Sequence, residues 1–205
     1  MLVTPTVHHL TPEQGALSGR SHRYEKQLSE LDGIYADANA FAAALSRGDG
    51  VVYAVEDYRP SMASGDLCFG VTHMLPGRIG DEFYMTRGHI HAIGNRPETY
   101  RGELGQGVML MESPEGEVVM LEVTPGATVY VPPYWIHRSV NTGAVPLVMS
   151  FVYPADSGQD YGIIARSNGM KVRIVADGSG WTAVPNPDWR PRSAEEIAAI
   201  YATEA

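Results

Sequence analysis

The chain has 205 residues, 44% of them hydrophobic, which is enough to bury one full core, so we expect a single domain over residues 1–205. Its net charge of −9 disfavours binding to nucleic acid or to an anionic membrane, since both require clustered Lys and Arg side chains. No segment approaches the roughly 20 apolar residues that span a bilayer, and the single Cys68 cannot form an intrachain disulfide, so we expect a soluble, cytoplasmic protein that binds a small molecule.

The first segment, residues 1–50, is predicted to be an N-terminal extension of helical and irregular structure that packs outside the main body. Thr11-Pro12-Glu13 has the composition of a helix start, because proline is favoured in the first helical turn. Asp37 is placed to cap a short helix from Ala38 to Leu45.

From Val51 onward the sequence changes to short runs of β-favouring residues. These runs cover residues 51–55, 67–73, 82–91, 107–112, 118–123, 127–131 and 147–153. Glycine and proline lie between nearly all of them. This spacing predicts an antiparallel barrel or sandwich over residues 51–186.

The last segment, residues 187–205, is predicted to carry a short C-terminal helix. Ser193 and Glu196 have the Ser-x-x-Glu spacing of a capping box, which would start a helix running toward Tyr201. Neither an internal repeat nor a linker-like segment indicates a second domain.

Three histidines and one glutamate carry the strongest chemical signal. His89 and His91 are two residues apart, so in a strand both imidazoles point to the same face. His137 follows another predicted strand and a rigid turn, and Glu98 supplies a carboxylate. One histidine in a strand is more often a packed or hydrogen-bonded residue, but this combination is typical of the ligands of a borderline divalent metal.

Such a ligand set predicts the kind of substrate. Neutral imidazoles with one carboxylate would leave a divalent ion with about one positive charge, which attracts an oxyanion and polarises a carbonyl. Two open coordination positions would accept a bidentate oxygen substrate. Our first choice for the ion is Fe²⁺, while Mn²⁺, Ni²⁺, Co²⁺ and Zn²⁺ suit the same ligands.

The spacing of these residues resembles a known fold family. Gly126, Pro132, His137 and Asn141 match the second cupin motif, although Tyr134 replaces its usual glycine. The first motif matches in part, through His89-x-His91, the glutamate at 98 and the glycine at 105, with a longer interval than usual before the glutamate. The resemblance implies a mainly β protein, a cupin (double-stranded β-helix, or jelly-roll) barrel.

That longer interval and several further segments resemble the cupin-type phosphoglucose isomerases of archaea and some bacteria. The segments are Thr86-Arg87-Gly88-His89, Glu98-x-Tyr100, Tyr130-Val131-Pro132-Pro133-Tyr134-Trp135-x-His137 and Asp160-Tyr161-Gly162. The resemblance runs from about Val51 to Asn186. It implies a homodimeric enzyme that interconverts glucose 6-phosphate and fructose 6-phosphate, with its metal on His89, His91, Glu98 and His137.

By the same resemblance, Thr72, Thr86 and Gly88 would contact the phosphate of a sugar-phosphate substrate. Two positions depart from the family: Arg87 stands where lysine is common, and Gln159 stands where many members have histidine. Strand alternation points Arg87 away from the face of its neighbours, so a surface salt bridge and a phosphate contact are both open for it.

Tyr100, Tyr153 and Tyr161 are candidate hydrogen-bond donors to sugar hydroxyls, although tyrosines in barrel strands often only fill a core. Glu98 is the candidate catalytic base of an enediol route, whereas a hydride shift would need no protein base. Two other functions fit the ligand set, namely a mononuclear dioxygenase and a non-catalytic sugar-binding protein.

Overall fold

Short strands form most of the chain from residue 51 onward, as the alternation and turn residues predict. The computed structural model describes residues 3–202. The N-terminal elements are β1 (Leu10–Thr11), β2 (Ala16–Leu17), β3 (His22–Gln27), a 3₁₀ helix (Leu28–Leu31) and α1 (Ala38–Ser46). The central strands are β4 (Val51–Tyr58), β5 (Leu67–Met74), β6 (Arg78–Ile79), β7 (Glu82–Phe83), β8 (Glu98–Leu104), β9 (Gly107–Glu112), β10 (Val118–Val123), β11 (Thr128–Val131), β12 (Ile136–Val140) and β13 (Leu147–Pro154). The C-terminal elements are α2 (Gly162–Arg166), β14 (Val172–Asp177), β15 (Gly180–Pro185) and α3 (Ala194–Tyr201).

Two sheets face each other and enclose the core. One has six strands in the order β11-β8-β13-β5-β4-β3, and the other has three in the order β10-β9-β12. The backbone of residues 84–90 extends the smaller sheet, because His89 and His137 exchange hydrogen bonds of 3.0 and 2.9 Å and Thr86 N donates to Ser139 O. The architecture is the predicted cupin jelly-roll barrel.

The N-terminal segment differs from the prediction in one important respect. Thr11 does not start a helix; it ends β1 and pairs with Ala16 across a tight turn that Gly15 completes with a φ of +57°. Strand β3 then pairs with β4 and forms the edge of the six-stranded sheet, so this segment does not pack outside the main body. A proline near a turn glycine therefore marks a hairpin here. The cap at Asp37 is confirmed, since its carboxylate accepts from Ala40 N at 2.8 Å.

The single strand expected over residues 82–91 is also wrong. β7 ends at Phe83, and Gly88 has a φ of +74°, a left-handed conformation that interrupts regular pairing. A Cβ at Gly88 would lie 2.7 Å from Ile164 Cδ1 and 2.9 Å from Arg138 Cβ. Only glycine fits this position, and the sequence before the histidine pair is therefore bent rather than extended.

The C-terminal part adds two strands to a four-stranded sheet in the order β15-β14-β7-β6. β14 and β15 form a hairpin that the predicted runs did not include, and α2 is a further unexpected helix. The capping box at the start of α3 is confirmed, because Ser193 Oγ accepts from Glu196 N and the Glu196 carboxylate accepts from Ser193 N. Among residues 3–202, no helix is long and apolar enough to cross a membrane.

Candidate active site

The four predicted metal ligands come together between the two sheets. Glu98 lies on β8 of the larger sheet, His137 lies on β12 of the smaller sheet, and His89 and His91 lie in the irregular segment that pairs with β12. From Glu98 Oε2, the Nε2 atoms of His137, His91 and His89 are 3.1, 3.3 and 3.9 Å away. All four residues are buried.

Backbone carbonyls orient two of these imidazoles. The Nδ1 atom of His91 lies 2.7 Å from Arg96 O, and that of His137 lies 3.1 Å from Trp135 O. A carbonyl only accepts hydrogen bonds, so each Nδ1 carries a proton, and each Nε2 faces the carboxylate, where it is placed to bind a metal. Carbonyl partners of this kind orient metal-binding histidines in proteins.

The donor set fits a divalent metal. Imidazole lone pairs and a carboxylate oxygen are all acceptors, so their convergence requires a cation or protons between them. The Nε2 atom of His89 is buried without a hydrogen-bond partner in the part of the chain that the structure describes. Single ligand atoms of His89, Glu98 and His137 all lie within 4.8 Å of one another, and His91 joins this group through its contact with Glu98.

The electrostatics of the cluster favour the ligand forms of its residues. Burial lowers the pKa of His89 well below its usual value, and the nearby His137 lowers it further. Burial alone would raise the pKa of Glu98, but its contacts with His137 and His91, together with the nearby His89, outweigh burial and hold that pKa below its usual range. The result is a neutral imidazole beside an ionised carboxylate, the forms in which both bind metals.

The six predicted substrate-binding residues line one cavity. These residues are Thr72, Thr86, Gly88, Tyr100, Tyr153 and Tyr161. The four predicted metal ligands, His89, His91, Glu98 and His137, form what we call the metal-type cluster, and three of them, His89, Glu98 and His137, also line this cavity. Thr72 lies on β5, Tyr100 on β8 and Tyr153 on β13, so adjacent strands of the larger sheet present them to the same space. The sequence motifs thus identified side chains that share a cavity, and their roles toward a substrate stay predictions.

Several residues of this cavity were not predicted. They are Tyr24, Tyr53, Asp57, Arg59, Arg138 and Ser139. Asp57 and Arg59 form a two-hydrogen-bond ion pair with distances of 2.6 and 2.9 Å to Asp57 Oδ2. The predicted run ended at residue 55, Asp57 lies on the longer observed β4 and Arg59 follows that strand, so no strand signal marked this pair in advance.

Arg138 supplies a buried positive charge to the cavity wall. Its Nη2 atom donates to Arg87 O at 2.7 Å, and its Nε atom has no hydrogen-bond partner among residues 3–202. Burial lowers the pKa of Arg138 to about 10, so the guanidinium remains charged at neutral pH.

Three positions depart from the sequence motifs, namely Arg87, Tyr134 and Gln159, and each has its own surroundings in the structure. Arg87 is exposed, makes no ion pair in the described part of the chain and lies 5.5 Å above the ring of Tyr161. Gln159 accepts a hydrogen bond from the Tyr161 hydroxyl. Tyr134 has a φ of +70°, so it adopts the left-handed conformation that glycine takes without strain.

A jelly-roll barrel with three histidines and a glutamate in its interior defines a cupin with a candidate metal centre. A family model described as Glucose-6-phosphate isomerase (GPI) matches residues 25–190. The chain therefore belongs to the glucose-6-phosphate isomerase family.

Curated relatives agree with this family over most of their length. A glucose-6-phosphate isomerase of Sinorhizobium medicae is 52% identical over 99% of this chain and 96% of its own. One of Thermococcus litoralis is 42% identical over 80% of this chain and 86% of its own. Among solved structures, an oxalate oxidase shows a TM-score of 0.45 and 16% identity over 53% of this chain and 54% of its own.

Proposed function

We propose that this protein interconverts glucose 6-phosphate and fructose 6-phosphate, with one divalent metal held by His89, His91, Glu98 and His137. The observation that carries the proposal is the shared cavity, in which a metal-type cluster borders hydroxyl donors and a buried cation. Relatives of nearly full length that are named for this activity support the choice of substrate.

The phosphate would bind among Thr72, Thr86 and Gly88. Thr86 Oγ1 accepts from Ser139 N at 3.0 Å, which leaves its own O–H proton for a ligand. Gly88 has no side chain to block approach to its backbone amide. Because the protein carries a net charge of −9, a phosphate dianion needs local positive charge, and Arg138 at the cavity wall supplies it.

The remaining polar groups would orient the sugar and move its hydrogen. A divalent ion at the cluster would supply a Lewis acid that polarises the substrate carbonyl. Tyr100, Tyr153 and Tyr161 would donate phenol hydrogen bonds to sugar hydroxyls. Glu98 would serve as the shuttling base of an enediol route, while a hydride shift would use it only as a ligand.

The proposal extends to Fe²⁺ as the resident ion, to a homodimer, which the family resemblance implies, and to the cytoplasmic location expected from the sequence. Light scattering of the purified protein tests the dimer, and metal analysis of protein purified without chelators tests the ion.

The decisive test is conversion of fructose 6-phosphate after chelation and again after addition of single divalent metals, with oxygen uptake followed in parallel. We expect chelation to abolish isomerisation and one or more metals to restore it. Metal-independent isomerisation would disprove the metal role. Oxygen consumption without isomerisation would indicate a dioxygenase, and tight sugar-phosphate binding without turnover under any metal would indicate a binding protein.

A further inference from the structure

A turn outside the regular elements joins two of the proposed metal ligands. His91 and Glu98 are connected by residues 92–97, which contain neither helix nor strand. Arg96 N donates to another residue of this turn, at 3.2 Å. Pro97, the residue before Glu98, has no N–H with which the backbone could anchor this end of the turn to the rest of the fold. The position of residue 96 therefore depends on what its side chain contacts.

The carbonyl of Arg96 matters because it orients a proposed metal ligand. His91 Nδ1 lies 2.7 Å from Arg96 O, and His91 Nε2 faces Glu98 Oε2 at 3.3 Å. The imidazole ring is rigid, so a shift of the carbonyl that holds Nδ1 also turns Nε2 away from the carboxylate. Loss of a partner that orients a metal-binding histidine typically weakens metal binding by about 10- to 100-fold.

An ion pair with Asp156 fixes the Arg96 side chain. Arg96 Nε donates to Asp156 Oδ1 at 3.0 Å and Arg96 Nη2 donates to Asp156 Oδ2 at 2.8 Å. The third nitrogen, Nη1, donates to Asn95 Oδ1 at 2.7 Å. Only 18% of the Arg96 side chain and 13% of the Asp156 side chain are exposed. Two parallel hydrogen bonds between a planar guanidinium and a carboxylate favour one relative orientation, so the pair restrains both the position and the direction of Arg96.

Asp156 connects the turn to the larger sheet. It lies just after the end of β13, the strand that also carries Tyr153 in the wall of the candidate active-site cavity. Hydrogen bonds from Arg96 lower the pKa of Asp156 to about 2, so the pair stays ionised at neutral pH. The ion pair therefore ties the turn that orients His91 to a strand that borders the cavity.

The fold itself does not depend on this pair. A backbone hydrogen bond of 2.9 Å from Ile93 N to Ser157 O joins the same two segments. Ion pairs that keep contact with solvent contribute little to the free energy of unfolding. Loss of the pair should therefore leave the protein folded while releasing the carbonyl of residue 96.

We propose that Arg96 and Asp156 are positioning residues of the candidate metal centre, because their ion pair fixes the carbonyl that orients His91. Neither side chain is a ligand of the ion, and the pair acts through the backbone of residue 96. This role presupposes the metal centre of the proposed function and adds a determinant of its metal affinity.

Competition between the Co²⁺-loaded protein and a chelating indicator tests the role. We expect wild-type protein to bind one Co²⁺ per chain at the cluster, and Arg96→Gln and Asp156→Asn each to bind it about tenfold more weakly. The double variant should bind Co²⁺ no more weakly than the weaker single variant, because the two residues act as one pair. The visible absorption bands of bound Co²⁺, which report the arrangement of its ligands, should change in both single variants.

Arg190→Gln is the matched control. It removes another ion pair with two hydrogen bonds, at 2.7 and 3.0 Å to Glu196, and should leave Co²⁺ affinity unchanged. The urea midpoint of each metal-free variant, measured alongside, should stay close to that of the metal-free wild type.

Unchanged Co²⁺ affinity in the two folded single variants would overturn the proposal. Weakening in Arg96→Gln alone, or equal weakening in Arg190→Gln, would do the same, because neither result requires the pair. A wild-type protein that binds no Co²⁺ would instead contradict the metal centre itself, and with it the role of the pair, so the two failures are distinguishable.

Discussion

Glu98 and Glu112 are both buried in the barrel, yet their surroundings differ in kind. Glu112 is 0% exposed and accepts three hydrogen bonds, from Lys171 N at 2.6 Å, Arg192 Nη1 at 2.8 Å and Trp189 Nε1 at 3.2 Å. Glu98 is 3% exposed and faces three imidazole Nε2 atoms. Hydrogen-bond donors therefore surround the Glu112 carboxylate, whereas the Glu98 carboxylate mainly faces imidazole nitrogens that can bind a metal.

This difference distinguishes a carboxylate suited to a structural role from one suited to bind a cation. A buried charge whose hydrogen bonds are complete holds neighbouring segments together, and it needs no ligand. A buried charge surrounded by acceptor atoms is stable only when a cation joins them. Burial alone therefore does not identify a site, whereas the type of the neighbouring atoms does.

The largest expected effect is that of Glu98→Gln. This change removes the candidate base and one anionic ligand, so turnover at saturating substrate and metal should fall by about 10²- to 10⁴-fold. The Michaelis constant should change less than turnover, and the urea midpoint of unfolding should change little. A variant with near-normal turnover would exclude Glu98 as the base and favour the hydride shift.

Glu112→Gln tests the other side of the comparison. The guanidinium of Arg192 would lose its counter-ion in a buried position, so the free energy of unfolding should fall by about 3 kcal/mol. Urea unfolding measures this loss. The folded variant should isomerise fructose 6-phosphate at the wild-type rate, and a large loss of turnover without a loss of stability would contradict the structural role.

Tyr100→Phe removes a single neutral donor from the Glu98 carboxylate. The Tyr100 phenol is buried and hydrogen-bonded to Glu98, and burial together with the glutamate charge raises its pKa well above the usual value, so it acts as a donor. We expect turnover to fall about tenfold, because a hydrogen bond to a charged group contributes roughly 1.5–3 kcal/mol. Steady-state kinetics measure the effect. Unaltered kinetics would assign Tyr100 to the core.

Trp189→Phe removes the corresponding neutral donor from Glu112 and is expected to have the smallest effect. The indole Nε1 of Trp189 donates a hydrogen bond of 3.2 Å to Glu112 Oε1, and Trp189 is half-buried. Losing this hydrogen bond should lower the free energy of unfolding by about 1 kcal/mol. Denaturant unfolding gives this value, and turnover should stay unchanged. A tenfold loss of turnover in this variant would end the distinction between the two carboxylates.

The metal-type cluster could be predicted because its signals are local. His89 and His91 are separated by one residue, and the interval that contains Pro132 and His137 follows a recognisable motif. The bend at Gly88 was missed because a glycine in a β-favouring run gives no sign of its φ, which is +74° here.

The role of the N-terminal segment could not be predicted, because it depends on pairing with a distant strand. In the structure, the side chains of His22–Gln27 alternate between exposed and partly buried over most of the strand. In the sequence, however, this run of six mainly polar residues is only a weak signal for a strand. Pairing with β4 brings Tyr24 into the wall of the candidate active-site cavity. Arg138 was missed for a similar reason, since its burial depends on Met85 and Arg87 across the sheet.

The edge position of β3 limits how the protein can be shortened. A truncated version that starts at Val51 would keep all four proposed metal ligands, yet it would expose the backbone hydrogen-bonding groups of β4 along a long apolar strand. Such an edge pairs readily with other chains, and the truncated protein would aggregate. Fusion partners and affinity tags therefore belong before His22, where they leave this strand pairing intact.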